Sequence, residues 1–389
     1  MQAIAAGHIC LDIIPNLAGE NFLERIQPGH LLQVGAAEIT TGGSVSNTGL
    51  ALHKLGIPTQ LMGKVGDDMF GRAVCDLIST YGAHLASGMI VARDSETSYS
   101  IILSPPGVDR IFLHNPGANN TFASTDLDYV KIAHADIFHF GYPPLMRCMY
   151  VNDGEELAEI FRRVKTGGTI TSLDMAFPDP SSTAGKVDWR TIFAKTLPFV
   201  DIFMPSIEEL IYCLDQSLYY KLSDRSGCLL ACITPELLHE VSSELLNMGA
   251  SIVALKLGDR GLYLRTAANL PVLRQGFQAV SWAGRELWAP CFQVKVIGTT
   301  GSGDATIAGF ISGLLKGFDP YQTMTLAAAV GASNVEASDA LSGIHGWNET
   351  LARIAMGWER CDLGISAKEW SYLPSHNIWV GPGDSGDHW

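Results

Sequence analysis

The sequence predicts an α/β fold with a mostly parallel central sheet, helices on both faces and a small appended sheet. From about residue 135 onward, short apolar runs alternate with segments of helical periodicity. Strands separated by helices pair in parallel. Before that point, two β-rich stretches at about 13–40 and 93–118 break the rhythm, which marks them as the appended sheet.

Each element follows in order. Residues 2–9 read as a first buried strand. A helix from Ser44 to Leu55 is ended by Gly56-Ile57-Pro58, because Gly and Pro stop helices. A strand over 59–65 precedes a helix from Asp68 to Thr80. The runs 97–103 and 109–114 flank Ser104-Pro105-Pro106-Gly107 and read as a hairpin. Next come a strand at Ala135–Phe140, a helix at Glu155–Lys165 and a strand at Thr169–Asp174. Asp201–Met204 is a strand and Ser206–Cys213 a helix. Pro235–Met248 is a helix, and Ser251–Leu257 and Gly261–Arg265 are strands. Two apolar helices, 302–315 and 320–336, close the core. From Gly346 on, the chain carries five of its eight tryptophans, a density at odds with a disordered tail. Burial of this segment on the domain or a partner is expected.

Composition narrows the function. The chain has 389 residues and a net charge of −14, with no Lys/Arg cluster. A nucleic-acid binder needs a basic face, so that class is excluded, and an acidic surface disfavours anionic membranes. No run approaches a membrane span. The N-terminus lacks a basic leader, so a cytoplasmic location is expected. The eight cysteines form no C-x-x-C pair and read as small buried hydrophobes.

The strongest chemical signal is Gly301-Ser302-Gly303-Asp304, which opens an apolar helix. Amides at a helix N-terminus are unpaired and partly positive, and glycines let a phosphate approach them. Asp304 falls in the first turn, placed to take a proton from an attacking hydroxyl. The plain alternative is a Gly-rich turn with a capping Asp304. The second signal is Gly42-Gly43 before a helix whose first turn holds Asn47, which offers a donor and an acceptor to a diol. Asp12 lies just past the first strand, where α/β sheets gather ligands.

Asp12, Gly42-Gly43 with Asn47, Gly63-Lys64-Val65-Gly66-Asp67-Asp68 with Gly71, and Gly301-Ser302-Gly303-Asp304 occur in an order that resembles the ribokinase-like, or PfkB, carbohydrate kinases over residues 1–345. The resemblance implies a three-layer α/β/α sandwich with a small β lid, the stretches 13–40 and 93–118. It implies ATP-dependent phosphorylation of a sugar hydroxyl with Mg²⁺. Asp304 matches the catalytic base, and Gly301, Ser302 and Gly303 match the anion hole. Asp12, Gly42, Gly43 and Asn47 match the sugar-binding positions. Lys256, Gly258 and Gly261 look like the nucleotide-lining strand and turn. Ser206 through Glu209 resembles the N-x-x-E element, with Glu209 in the metal-organising position. Gly117-Ala118-Asn119 looks like the lid-to-core return, and Gly141 falls where some members touch sugar. Homodimers through the lid sheets are a habit of the family.

Three departures stand out. Ser206 replaces the asparagine of N-x-x-E. Gly298 replaces an aspartate that helps hold an activating monovalent cation, which argues against K⁺ dependence. Asp174-Met175-Ala176 replaces an Asp-Pro-Asn preceding an arginine, which argues against sugar acids. A nucleoside acceptor, with Phe22 or Phe112 in an aromatic sandwich, and a sugar-binding regulator without turnover are the alternatives. His53, His84, His114, His134, His139 and His345 read as isolated, and Arg110 as part of a solvated face.

Overall fold

The first apolar run becomes β1 (Ala3–Gly7), and the chain passes through His8 and Ile9 into β2 (Cys10–Pro15). These coordinates are a computed structural model that describes residues 1–17, 22–105, 110–226, 229–270, 279–365 and 368–386. Pro106 and Gly107 of the expected turn, Cys228 and Trp389 lie outside the described residues. The expected strand 2–9 therefore ends at Gly7, and the second sheet begins at Cys10 rather than at 13. Gly7 has φ +117, a backbone conformation closed to most side chains. β3 (Ala37–Gly42) returns antiparallel to β2 and feeds α1 (Ser44–Lys54).

The expected strand 59–65 is two strands, β4 (Thr59–Met62) and β5 (Lys64–Gly66). The break is Gly63, where a Cβ would stand 2.7 Å from the Ile9 side chain. α2 (Met69–Tyr81) is capped by Asp68, which accepts the Gly71 N–H at 2.7 Å. β6 (Ile90–Ala92) pairs with β5. β7 (Tyr99–Leu103) and β8 (Ile111–Asn115) pair antiparallel, as expected of the hairpin.

The alternating part follows with α3 (Tyr129–Ala133), β9 (Ile137–Gly141), α4 (Glu155–Thr166), β10 (Ile170–Leu173), α5 (Trp189–Thr196) and β11 (Ile202–Phe203). Then come α6 (Ile207–Leu214), α7 (Gln216–Ser226), α8 (Pro235–Asn247), β12 (Ile252–Lys256), β13 (Leu262–Thr266), α9 (Ala279–Trp282) and β14 (Glu286–Ala289). The chain closes with α10 (Ser302–Leu315), α11 (Pro320–Asn334), α12 (Trp347–Ala355), β15 (Ser371–Leu373) and β16 (Ile378–Val380). The sequence reading does not anticipate α5, α7 or β14. β14 is hidden by Glu286, a fully buried carboxylate that Tyr263 meets with its hydroxyl at 2.7 Å and His239 with its ring at 3.0 Å.

The central sheet has ten strands in the order β15-β16-β14-β13-β12-β11-β10-β9-β1-β4. β4, β1, β9, β10, β11 and β12 run parallel, while the β13, β14, β16 and β15 pairings are antiparallel. Strand side chains alternate faces, and the cores show it. Ala3 and Ala5 of β1 and Ile252 and Ala254 of β12 pack with α1, α10 and α11. Ile4, Ala6, Val253 and Leu255 pack with α4, α5, α6 and α8 on the other face. This two-sided burial explains why these strands read as continuous apolar runs.

The Trp-rich segment joins this body. β15 and β16 extend the central sheet beyond β14, and Trp370 packs 5.9 Å from Trp288. Trp358 stacks on Phe292 at 4.3 Å, and Trp347 meets Phe318 at 5.2 Å. The buried Arg285–Asp384 ion pair, at 3.0 Å, ties down the end of the segment. Among the described residues no helix is long and apolar enough to cross a membrane. The described cysteines are free, but only Cys10 and Cys213 are fully buried; the others are half-buried.

A four-stranded sheet in the order β3-β2-β7-β8 carries the appended β stretches. It begins three residues past the C-terminal end of β1 and leads straight into α1, so it stands over the ligand-gathering end of the parallel strands. Asn119 fixes this junction, accepting from the Ile9 N–H at 3.2 Å and donating to the Ile9 carbonyl at 2.8 Å.

Candidate active site

Two helices bring their amino ends to this junction, and neither is capped by a side chain. α1 starts after Gly43 at φ +89, and α10 after Gly301 at φ +72. Elsewhere Asp68, Ser206, Thr234 and Asp319 cap α2, α6, α8 and α11. Uncapped first-turn amides are left for a ligand, with the positive end of the helix dipole behind them. Both glycines are demanded by close approach. A Cβ at Gly43 would lie 2.5 Å from the His8 carbonyl, and one at Gly301 2.6 Å from the Ala340 side chain.

Asp304 sits in the first turn of α10, 2% exposed, and is held from three directions. It accepts from Asn47 Nδ2 at 3.1 Å, from the Thr48 hydroxyl at 2.9 Å and from the Tyr142 hydroxyl at 2.7 Å. Burial raises its pKa above the ordinary carboxylate value, and the hydrogen bonds from Tyr142, Asn47 and Thr48 oppose that rise. Burial and the neighbouring carboxylates push the Tyr142 phenol well above 10, so it remains a donor at neutral pH. This placement rules out the plain capping role, since Gly301 is the N-cap and Asp304 faces other elements.

Three cavities surround this end of α10, and Asp304 lines the smallest of them. The largest, about 830 Å³, lies under the small sheet and is lined by Asp12, Gly43, Asn47, Tyr142, Glu209 and Gly301 among others. A second, of about 490 Å³ on the far side of α10, is lined by Lys256, Gly258, Gly261, Ser302, Gly303 and apolar groups of α11. A third, of about 260 Å³, adjoins both and gathers Asp174, Ser206, Glu209, Lys256, Gly258, Gly301, Ser302, Gly303 and Asp304. The sequence-nominated residues thus come together, except Gly42, which lines none of these cavities. A Cβ there would fall 2.2 Å from Asp12 Oδ2, so Gly42 makes room for that carboxylate. Asp12 is 8% exposed, and burial lifts its pKa to about 6.

Lys256, at the C-terminal end of β12, pairs with Asp174 at 2.6 Å in a buried ion pair. Burial, then Glu209 and Asp304, drive the Asp174 carboxyl up to about 8 against the pull of Lys256. The third cavity therefore holds Asp174, Glu208, Glu209 and Asp304 against the single ammonium of Lys256. That excess of oxygen donors fits a hard divalent cation, which takes one or two carboxylates and completes its shell with phosphate and water. Ser206 and Glu209 form a reciprocal capping box: the Ser206 hydroxyl accepts the Glu209 N–H at 3.3 Å, and the Glu209 carboxylate accepts the Ser206 N–H at 2.8 Å. Serine in place of asparagine here keeps the helix start.

Sequence reasoning misses Tyr142, Thr48 and the role of Arg110. Tyr142 directly follows β9 at the ligand end of the sheet, and its φ of 65 holds a non-glycine residue in the left-handed region. The strand position was a readable signal; the backbone strain was not. Thr48 is one residue past Asn47 on α1, so it was in reach of the motif. Arg110 is not part of a solvated face. It crosses from the small sheet to donate to the hydroxyls of Thr299, at 2.8 Å, and Thr300. His114 is not isolated either, since its Nε2 lies 3.3 Å from that of His8.

Comparison with known proteins agrees with this geometry. The family described as "pfkB family carbohydrate kinase" matches residues 4–345. A relative named "Uncharacterized sugar kinase" from Archaeoglobus fulgidus is 25% identical over 295 residues, 76% of this chain and 98% of its own. Among solved structures, a ribokinase from Thermotoga maritima superposes with a TM-score of 0.66 at 20% identity, covering 91% of this chain and 99% of its own. A fructokinase with bound ATP from Xylella fastidiosa gives 0.67 at 21% identity, covering 91% and 98%.

Proposed function

The chain belongs to the pfkB family of carbohydrate kinases, and on that premise we propose that it transfers the γ-phosphoryl group of ATP to a hydroxyl of a sugar or sugar-like alcohol. The observation that carries this reading is the position of Asp304, at a helix start without a side-chain cap, in the small cavity that shares Gly301 with the one under the small sheet and Ser302 and Gly303 with the apolar-walled one. The acceptor lies in the cavity under the lid, with Asp12, Gly43 and Asn47 around it. Asn47 keeps a buried Oδ1 without a partner among the described residues, an acceptor ready for a substrate hydroxyl. Asp304 takes the proton from the attacking hydroxyl. The amides of Gly301, Ser302 and Gly303 stabilise the charge that develops on the transferred group.

ATP occupies the cavity behind α10, against Gly258, Gly261 and Lys256, with Ser206 in the adjoining small cavity; a fructokinase that shares the fold has ATP bound. Mg²⁺, held through Glu209 and Asp174, would neutralise phosphate charge there. Gly298 offers no carboxylate for a monovalent cation. Arg110 bonds the lid to the Thr299–Thr300 loop, which excludes water from the acceptor side.

The test is ATP consumption with product detection across sugars, polyols and nucleosides. One acceptor yielding phosphorylated product supports the reading and names the substrate. Binding of a sugar with no product would favour a regulator instead. Phe112 lines the lid cavity while Phe22 does not, so the nucleoside arm rests on Phe112 alone of those two rings.

The hydroxyl of Tyr142 gives a pH prediction. Its hydrogen bond lowers the pKa of Asp304, so Tyr142→Phe raises it. A base works only when deprotonated, and activity falls as pH drops through its pKa. The acid limb of kcat/KM therefore moves to higher pH in Tyr142→Phe. An unmoved limb would show that Asp304 does not set it.

A further inference from the structure

We propose that His8, Cys10 and His114 form a zinc-class metal site that staples the lid to the core and shuts the acceptor cavity. His8 lies in the two-residue connection between β1 and the lid, Cys10 opens the lid strand β2, and His114 sits on the lid strand β8. One ligand atom from each lies within 4.8 Å of the other two. The two imidazole Nε2 atoms are 3.3 Å apart. Two nitrogens bound to one Zn²⁺ at about 2.0–2.1 Å and a tetrahedral angle stand about 3.3–3.4 Å apart, so this pair is already spaced as ligands. A bound thiolate sulfur would stand about 3.6 Å from each nitrogen, so closing the set needs a contraction of about 1 Å.

The surroundings fit a metal better than a hydrogen-bonded histidine pair. His8 is 2% exposed, lines the lid cavity and has an Nδ1 with no partner among the described residues. The Ser100 hydroxyl lies 3.0 Å from His114 Nδ1; in the tautomer with a proton on Nδ1 it accepts that N–H and leaves the Nε2 lone pair facing His8. Metal-bound histidines are oriented by such a bond on their other nitrogen. Asp12 Oδ1 lies 3.2 Å from Cys10 Sγ. The carboxylate already accepts the thiol's S–H and is placed to take that proton when the sulfur binds the ion as thiolate, whose negative charge then offsets part of the ion's.

An ion here joins β8 to the β1–β2 connection and engages Asp12, one of the proposed acceptor contacts. Zn²⁺ then inhibits competitively with the acceptor. That consequence rests on the kinase reading; the site itself does not.

The experiment titrates chelator-treated full-length protein with Zn²⁺ by calorimetry and with Co²⁺ by absorption. The expected result is one ion per chain at this site, with a thiolate-to-cobalt charge-transfer band and tetrahedral Co²⁺ spectrum. Cys10→Ser abolishes the band. His114→Ala weakens binding by at least about 100-fold, and Ser100→Ala by about 10–100-fold with the band retained. Ser100→Ala keeps every ligand, so it decides the matter even if another variant fails to fold. Absence of saturable binding, or binding that none of the three substitutions alters, overturns the site. Binding with these signatures but no competition with the acceptor leaves the site standing and overturns its inhibitory role.

Discussion

Asp304→Asn lowers kcat by roughly 100- to 10,000-fold, the range for losing a positioned general base. The substitution preserves shape: an Asn oxygen at the Oδ2 position accepts from Tyr142 and Asn47 as before, and the new NH₂ at the Oδ1 position faces the Thr48 hydroxyl, which can turn to accept it. Acceptor binding measured by calorimetry should therefore stay within a few-fold. Burial already disfavours the charged form of Asp304, so the neutral variant should hold or raise Tm. This pairing of lost turnover with retained stability separates a chemical role from a structural one. A variant that keeps most of its activity would remove Asp304 from the mechanism.

Lys256→Met destabilises the fold by up to about 3–5 kcal/mol at alkaline pH, where it leaves the Asp174 carboxylate charged and buried without its partner, and by less at neutral pH, where that carboxyl takes up a proton. Methionine matches the length of the stem, so packing loss is minor and the unpaired carboxylate dominates. The pH dependence has a definite sign. Asp174 has a folded-state pKa of about 8 against an ordinary 3.8, so between those values the folded chain binds more protons than the unfolded one. Stability from this group is present below the ordinary pKa and is lost as pH rises towards the folded one. Removing Lys256 takes away the pull that holds the folded pKa down, so the deficit of the variant widens as pH rises. Adding Asp174→Asn removes the orphaned charge, and the double variant should recover much of the loss. Denaturant unfolding of the four proteins at several pH values measures this coupling. Equal, additive losses at every pH would show that the pair contributes no coupling.

Much of this protein was legible one residue at a time. The parallel strands are buried on both faces, so β1, β9 and β12 appear as unbroken apolar runs. The glycines before α1 and α10 mark helix starts without side-chain caps, and Asp304 and Asn47 fall in the first turns that follow. Such signals are local: a turn needing positive φ or an amide left bare is written in the residues that form it. β14 was hidden because Glu286 is satisfied by His239 and Tyr263, which lie elsewhere in the chain.

Local sequence patterns were enough for the fold class, the two helix starts and Asp304 as the acid proposed for the site. How that acid is held depends on the assembled fold, through Tyr142 just past β9 and Thr48 from α1, both far from residue 304 in the chain. It also turned Arg110 from a surface residue into a lid contact, and His8, Cys10 and His114 into one cluster. The physical reason is common to all three. Hydrogen bonds and metal-ligand spacings are set by distances of about 2–3 Å in space, and residues a hundred positions apart reach those distances only after the sheet has placed their strands.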